Sequence, residues 1–233
     1  MGDSMHYLKT IIVLLLLATC SLPVYCANGP SEKELEEWFK DDDRSHPYEG
    51  SVGDEQLIFL TSPPNKRVPH SKSQLHILPT SPDDGWVNLQ QCYDKLDAVP
   101  ELQVVYEYKQ MRDLRVTHSS KIGKHWVEGQ SVQLQDIEHG ARLCVTAQVR
   151  IFYTNPDGSF SLVNGPFQRR FLDGYYPMHV SLELSYPGDA LTYTGITPAP
   201  QQGFNVEHSE NSLSIDAWFK GKLTMQVHFR HKQ

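Results

Sequence analysis

The sequence predicts an all-β protein: an antiparallel β-sandwich, immunoglobulin-like or of a related type, or two packed sandwich halves. Apolar residues recur at every second position in residues 141–153, and the same period returns in residues 102–108 and 180–186. Turn-forming residues separate about a dozen such segments, at intervals of eight to fifteen residues. Short strands with regularly spaced turns are typical of sandwiches.

The remaining strands are shorter and are bounded by turn residues. Residues 155–158, Asn-Pro-Asp-Gly, predict a turn after the strand that ends at Tyr153. The other predicted strands are residues 55–60, 75–78, 86–93, 114–118, 132–135, 160–163, 191–194 and 204–207.

Apolar residues keep one alternating phase through residues 215–229, across Gly221. A two-residue hairpin at this point would place the apolar residues of its two strands on opposite faces. We therefore expect a three-residue loop at residues 220–222, or one long strand bent at Gly221.

The N-terminus has the features of a signal peptide. An apolar run at residues 11–18 follows Lys9 and is too short to span a bilayer. Cleavage before Ala27 would remove residues 1–26 and deliver a secreted or periplasmic chain. Lipid attachment at Cys20 is the weaker alternative, because Thr19 stands where a lipobox has a smaller residue. No later apolar run is long enough for a transmembrane helix.

The exported chain would keep one pair of cysteines, Cys92 and Cys144, and an oxidising compartment favours a disulfide between them. Both cysteines lie out of phase with the apolar residues of their strands. We therefore expect the bridge on the outer face of a sheet, either between neighbouring strands or under a covering loop.

Residues 27–54 form an acidic N-terminal arm. Nine acidic residues against three basic ones give residues 31–54 a local charge of −6. A capping-box spacing predicts a short amphipathic helix with Leu35, Trp38 and Phe39 on one face. This face either packs on the protein's own domain or docks a partner. The β-sandwich region would then be residues 55–233, with a possible subdivision near 137–140.

Several function classes find no support in the sequence. The formal net charge is −7, which is unlike the basic footprint of nucleic-acid-binding proteins. The sequence contains none of the GxSxG, HExxH, GxGxxG or P-loop motifs. The histidines are scattered without ligand spacing, so neither a metal nor another cofactor is expected.

Two places are candidates for ligand binding. Residues 164–179, NGPFQRRFLDGYYPMH, predict a crossover between strands that carries Arg169, Arg170, Asp173, Tyr175 and Tyr176. The two arginines should point to opposite sides, so that at most one pairs with Asp173 and the other is available to an anionic group or an aromatic ring. The alternative is that the arginine and Asp173 only brace the corner, which needs no ligand. The second candidate is Trp218, which lies on the polar phase of its strand.

These observations favour an exported, non-catalytic β-sandwich protein that binds, or helps to assemble, a cell-envelope protein or surface polymer. The alternative is an envelope enzyme or carbohydrate-binding module whose site forms only in three dimensions. The oligomeric state does not follow from the sequence.

Overall fold

The computed structural model describes residues 56–232, apart from Leu172 and Asp173. This part of the chain is predominantly β, and it contains fifteen strands and one short helix, which confirms the all-β class. The elements are β1 (Ile58–Phe59), β2 (His70–Ile77), α1 (Ser81–Asp84), β3 (Trp86–Leu96), β4 (Glu101–Val105), β5 (Met111–Glu128), β6 (Ser131–Arg150), β7 (Phe152–Thr154), β8 (Phe160–Phe167), β9 (Arg170–Phe171), β10 (Gly174–Tyr175), β11 (Met178–Ser185), β12 (Leu191–Thr197), β13 (Phe204–His208), β14 (Ser212–Lys220) and β15 (Leu223–His231).

The strands form three sheets. The large sheet has the order β1-β14-β11-β2-β3-β6-β4, with β13 also paired to β14 and β5 also paired to β6. The small sheet has the order β12-β15-β8-β7, and β9 with β10 forms a separate corner hairpin. The pair β2–β11 is parallel, and the other pairs of these sheets are antiparallel. The parallel pair places two segments side by side that are far apart in the chain.

The apolar faces of the large and small sheets contribute to one hydrophobic cluster. Its fully buried members include Leu182 of the large sheet and Leu162 and Phe229 of the small sheet. The Tyr186 ring, just beyond β11, lies edge-on to the Phe229 ring with centroids 5.0 Å apart. Because successive side chains of a strand point to opposite faces, burial of this set leaves most polar residues of the large sheet on its outer face. Ser71, Ser73 and Gln91 are exceptions, since they are buried in phase with the apolar residues.

The predicted alternation at residues 141–153 corresponds to the end of β6 and to β7. Its odd-numbered residues are buried as far as Ile151, whereas Tyr153 is exposed. The predicted turn is present, since the Gly158 amide donates to the Asn155 carbonyl at 3.0 Å. The two longest strands, β5 and β6, extend well beyond the predicted segments 114–118 and 132–135, and residues 137–140 lie inside β6.

The expectation at Gly221 was wrong in one respect, because β14 and β15 neither pair with each other nor form one strand. They belong to different sheets, and the chain changes sheet at residues 221–222. Both strands direct their apolar residues into the shared cluster, which explains the constant phase. Gly221 has φ 97°, and a Cβ at this position would overlap the carbonyl oxygen of Gln56.

The predicted disulfide is confirmed. Cys92 and Cys144 are bonded partners that lie directly opposite each other on the neighbouring strands β3 and β6, with Cα atoms 4.0 Å apart. The bridge lies on the outer face of the large sheet, in phase with Arg142 and Thr146. The out-of-phase cysteines therefore predicted its position correctly, because a bridge across the core would need both cysteines on the apolar face.

The predicted signal peptide, Cys20 and the acidic arm with Leu35, Trp38 and Phe39 lie outside the described residues. Between residues 56 and 232, as far as these are described, no helix is long and apolar enough to cross a membrane.

Candidate functional site

Polar side chains on the outer face of the large sheet stand in four rows that run across the strands. The pairing register places each side chain beside its neighbours on the adjacent strands, so that every row is a line of cross-strand neighbours. Two rows lie toward the start of β11. The ring row is Trp218, His179, His70 and Asp94, and the disulfide row is Asp216, Ser181, Lys72, Cys92, Cys144 and His118.

The other two rows lie toward the end of β11 and are rich in amides and hydroxyls. The first amide row is Ser214, Glu183, Gln74, Gln90, Thr146 and Arg115; the second amide row is Ser212, Ser185, His76, Asn88, Gln148 and Arg112. Each crosses six strands, which is a length of about 24 Å at the usual strand spacing of roughly 4.8 Å.

Three aromatic rings are stacked in the ring row. The His70 and His179 centroids are 3.7 Å apart with planes inclined by 16°. The His179 and Trp218 centroids are 3.9 Å apart with planes inclined by 13°. The predicted site residue Trp218 is therefore half-buried against a histidine, and the row presents a stack of partly exposed ring edges to the outer face.

A hydrogen-bond network connects the ring row with the disulfide row. Oδ2 of Asp216 lies 2.7 Å from His179 Nε2 and accepts a hydrogen bond of 3.0 Å from the Ser181 hydroxyl. Ser181 Oγ also lies 2.7 Å from His70 Nε2. Because the carboxylate is the stronger acceptor for the single hydroxyl proton, we assign Nε2–H of His70 as a donor to Ser181.

The environment of His70 favours its neutral form. Burial, together with the adjacent His179 and Lys72, lowers the pKa of His70 to about 4, against the opposing effects of Asp216 and Asp94. A neutral His70 that donates to Ser181 does not receive the hydroxyl proton, as the base of a serine nucleophile must. In this state the network is an array of fixed donors and acceptors.

The two amide rows line an open groove of about 590 Å³. One wall is formed where β5 bulges between Arg112 and Arg115. Asp113 lies in this bulge with φ 57°, a conformation that aspartate tolerates better than most residues. The floor is the large sheet itself, on which the Gln148 side-chain amide donates to Asn88 at 3.0 Å.

Other groove side chains are held by neighbours on the adjacent strand. His76 Nδ1 lies 2.6 Å from the Ser185 hydroxyl, and Arg115 Nε donates to the Thr146 hydroxyl at 3.3 Å. Gln74 and Gln90 lie side by side in the middle of the groove, and both are exposed. The groove therefore combines oriented polar groups at its walls with accessible amides at its centre.

The corner hairpin contains the other predicted site residues. Arg169 makes a bidentate contact with the Asp97 carboxylate. Its Nε donates to Oδ2 at 3.1 Å, and its Nη2 donates to Oδ1 at 2.8 Å and to Oδ2 at 2.7 Å. Its guanidinium also lies 5.2 Å from the Phe171 centroid and 5.3 Å from the Tyr176 centroid. Arg169 thus fastens the corner to the loop that follows β3.

The second arginine of this pair has a different environment. Arg170 is exposed, with its guanidinium 5.7 Å from the centroid of the buried Tyr175 ring. The two arginines therefore have different surroundings, and Arg169 binds the carboxylate of Asp97, a residue without a signal in the sequence. The predicted partner Asp173 lies outside the described residues.

The sequence analysis missed most of the outer face. The local signal for the outer face is the alternation of the strands, whose polar positions include Ser181, Asp216 and the groove amides. The meeting of His70 with His179 has no local signal, since it depends on the parallel pairing of β2 with β11. Among the described residues, no three His, Cys, Asp or Glu side chains are placed to hold one metal ion.

Comparison with known proteins identifies no family. No family model matches the chain, and no curated protein matches it. Among solved structures, it is similar to the M1 zinc metallopeptidase from Deinococcus radiodurans, with 11% identity and a TM-score of 0.35. The match covers 69% of this chain and 41% of the peptidase chain. A similarity this low supports no inference about fold or activity.

Proposed function

We propose that this protein is an exported, non-catalytic binding protein whose ligand surface is the outer face of the large sheet. The observation that supports the proposal best is the set of four polar rows in register, with a groove along two of them. Binding sites are commonly concave and carry a few oriented polar groups. The partner would be an envelope protein or a surface polymer.

Two further parts of the proposal concern architecture and location. The shared hydrophobic cluster supports packing of the large and small sheets face to face as a β-sandwich. The disulfide supports export, because such bridges persist in oxidising compartments and are rare in the cytosol.

Affinity capture from an envelope extract tests the binding surface. The intact protein should recover a partner, and Trp218→Ala combined with Gln90→Ala should recover much less of it. The matched control is Trp126→Ala combined with Gln103→Ala, which removes an exposed tryptophan and an amide from the distal part of the same sheet, outside the four rows. Equal recovery by the two double variants would reject the outer face as the binding surface.

The predicted helix with Leu35, Trp38 and Phe39 is a separate proposed docking element for a protein partner. The variant Trp38→Ala/Phe39→Ala addresses it in the same capture experiment. If the variant recovers the same partners as the intact protein, the helix does not recruit them.

The contact between Ser181 and His70 favours an enzyme as the second candidate. In the other tautomer of His70, Ser181 would donate to Nε2 across the same 2.7 Å, which is the arrangement of a serine nucleophile and its base. A fluorophosphonate probe separates the candidates. The binding proposal expects no labelling, whereas labelling that is lost in both Ser181→Ala and His70→Gln would establish a hydrolase.

A further inference from the structure

We infer that the groove along the two amide rows binds an extended, uncharged polysaccharide. This inference rests on the proposed function and names its ligand class. Four features of the groove support it: the chemistry of the lining residues, the contacts that its charged side chains already make, the position of the groove in the sheet, and the length of the groove.

The lining suits the hydroxyl groups of sugars. It includes four amides, Gln74, Asn88, Gln90 and Gln148, and three hydroxyl side chains. An amide or a hydroxyl can both donate and accept hydrogen bonds, and a sugar hydroxyl has the same dual character. A surface with this composition can therefore satisfy a neutral sugar without an ionic contact.

The charged groups of the groove disfavour an anionic polymer. The lining has one guanidinium, Arg115, against two carboxylates, Asp113 and Glu183. Arg115 donates to Thr146, and the nearby Arg112 donates to Gln148 while its guanidinium covers the Trp86 ring at 4.1 Å. With one cation against two anions, the lining has a formal net charge of −1, which disfavours a polyanion.

The position of the groove disfavours an extended peptide. Peptides that add to a sheet pair with the free backbone groups of an edge strand. The floor of this groove lies over β11, β2, β3 and β6, which are interior strands of the large sheet with both backbone edges paired, whereas β5, which among the described strands pairs with β6 alone, contributes one wall. On the floor only side chains are available, so a ligand that lies there must carry its own repeated hydrogen-bonding groups, as a polysaccharide does.

The dimensions indicate a polymer. The rows extend over about 24 Å, several times the width of one sugar ring. Aromatic rings flank the two amide rows on both sides, with Trp86 beyond the second amide row and the ring row beyond the disulfide row. Aromatic rings commonly supply apolar contact area to ligands that are otherwise polar.

A glycan array followed by titration calorimetry tests the inference with the full exported chain. The probes are neutral linear hexasaccharides of glucose, mannose and N-acetylglucosamine, beside oligogalacturonate and heparin hexasaccharide as acidic probes. We expect binding to at least one neutral probe, and at least tenfold weaker binding in Gln90→Ala/Gln148→Ala. The matched control, Gln103→Ala/Gln135→Ala, removes two amides from the distal part of the large sheet and should stay within twofold of the parent.

A variant that fails to fold would also lose binding. The single variant Gln90→Glu is therefore measured beside Gln90→Ala/Gln148→Ala. Gln90 is exposed and this change preserves its size while removing its two donors. With an unchanged melting temperature, it should also weaken binding to the neutral probe.

Three outcomes would overturn the inference: binding confined to the acidic probes, neutral binding that the groove variants leave unchanged, or no binding to any probe. One of these outcomes can occur while the intact protein captures a protein partner that Trp218→Ala/Gln90→Ala fails to capture. The proposed function then stands, and only the ligand class is wrong. If that variant leaves capture intact, the proposed function fails independently.

Discussion

The imidazole of His70 stacks on the imidazole of His179 across the parallel pair β2–β11, with centroids 3.7 Å apart. Two protonated rings would repel each other at this distance. His179 Nε2 lies 2.7 Å from the Asp216 carboxylate, whereas His70 Nε2 lies 2.7 Å from the neutral Ser181 hydroxyl. The stack therefore favours a neutral His70.

Protonation of His70 should make the stability of the protein depend on pH. Burial and the neighbouring His179 lower the pKa of the folded-state His70 from 6.5 to about 4. Because the unfolded chain binds the proton first, the free energy of unfolding falls as the pH drops from about 6.5 to about 4. This group adds no pH dependence above that window, and below it the loss is complete and constant. The loss should be about 1 to 2 kcal/mol, after a discount for the half-exposed position of the ring.

Urea titrations between pH 4 and pH 7.5 measure this dependence. His70→Gln should flatten it, whereas His76→Gln should preserve it. His76 is the matched control because it makes an equivalent contact between the same two strands: His76 contacts Ser185, and His70 contacts Ser181. If the two variants show the same pH dependence, His70 is not its source.

Loss of the disulfide should destabilise the fold without changing the strand pairing. The bridge spans a sequence separation of 52 residues, and closing a loop of this length stabilises a protein by about 4 kcal/mol on the chain-entropy model. We expect Cys92→Ala/Cys144→Ala to lose up to that amount in urea titration while its circular dichroism stays β-type. Peptide mapping without reductant checks the premise, and two free thiols in the native protein would contradict it.

The adjacent arginines of the corner should differ in their contributions to stability. Arg169→Ala leaves the partly buried Asp97 without its bidentate partner and should cost about 1.5 to 3 kcal/mol. Arg170→Ala removes an exposed side chain and should change the free energy of unfolding by less than about 0.5 kcal/mol. Thermal and urea unfolding of both variants measure the difference, and equal losses would contradict this account of the corner.

The sheet change at Gly221 should be intolerant of a side chain. Gly221→Ala imposes a positive φ on alanine and also forces its Cβ into the Gln56 carbonyl. Gly158→Ala imposes a similar φ of 78° with no heavy atom within 4 Å of the Cβ. The conformational cost is about 1 to 2 kcal/mol and is common to both variants, so any additional loss in Gly221→Ala reports the overlap. Equal melting temperatures would show that the contact with Gln56 is not formed.

Much of the fold could be read from local patterns. Every second residue of 141–151 and of 180–186 lies on the buried face, as the alternation predicted. The sequence sufficed here because period-two alternation is a property of a single strand. The outer-face position of Cys92 and Cys144 followed from the same alternation, since a cysteine out of phase with its apolar neighbours cannot lie on their face. The ends of β5 and the middle of β6, residues 136–140, were missed, because these largely exposed or bulged segments lack the regular alternation.

The change of sheet at Gly221 shows where local patterns are insufficient. A constant apolar phase is compatible with a three-residue hairpin, with a bent strand and with a chain that crosses between two facing sheets. The sequence contains the phase, and only the tertiary structure, in which β14 and β15 belong to different sheets that share one hydrophobic cluster, selects the crossing.

The sequence by itself determined the all-β class, the inward and outward faces of most strands, and the pair of cysteines, because each depends on residues close together in the chain. The tertiary structure alone decided which polar residues are neighbours. His70 meets His179, and Gln74 meets Gln90 and Glu183, through strand order and register. Strand order and register arise from long-range packing of the apolar faces, which a short stretch of sequence does not encode.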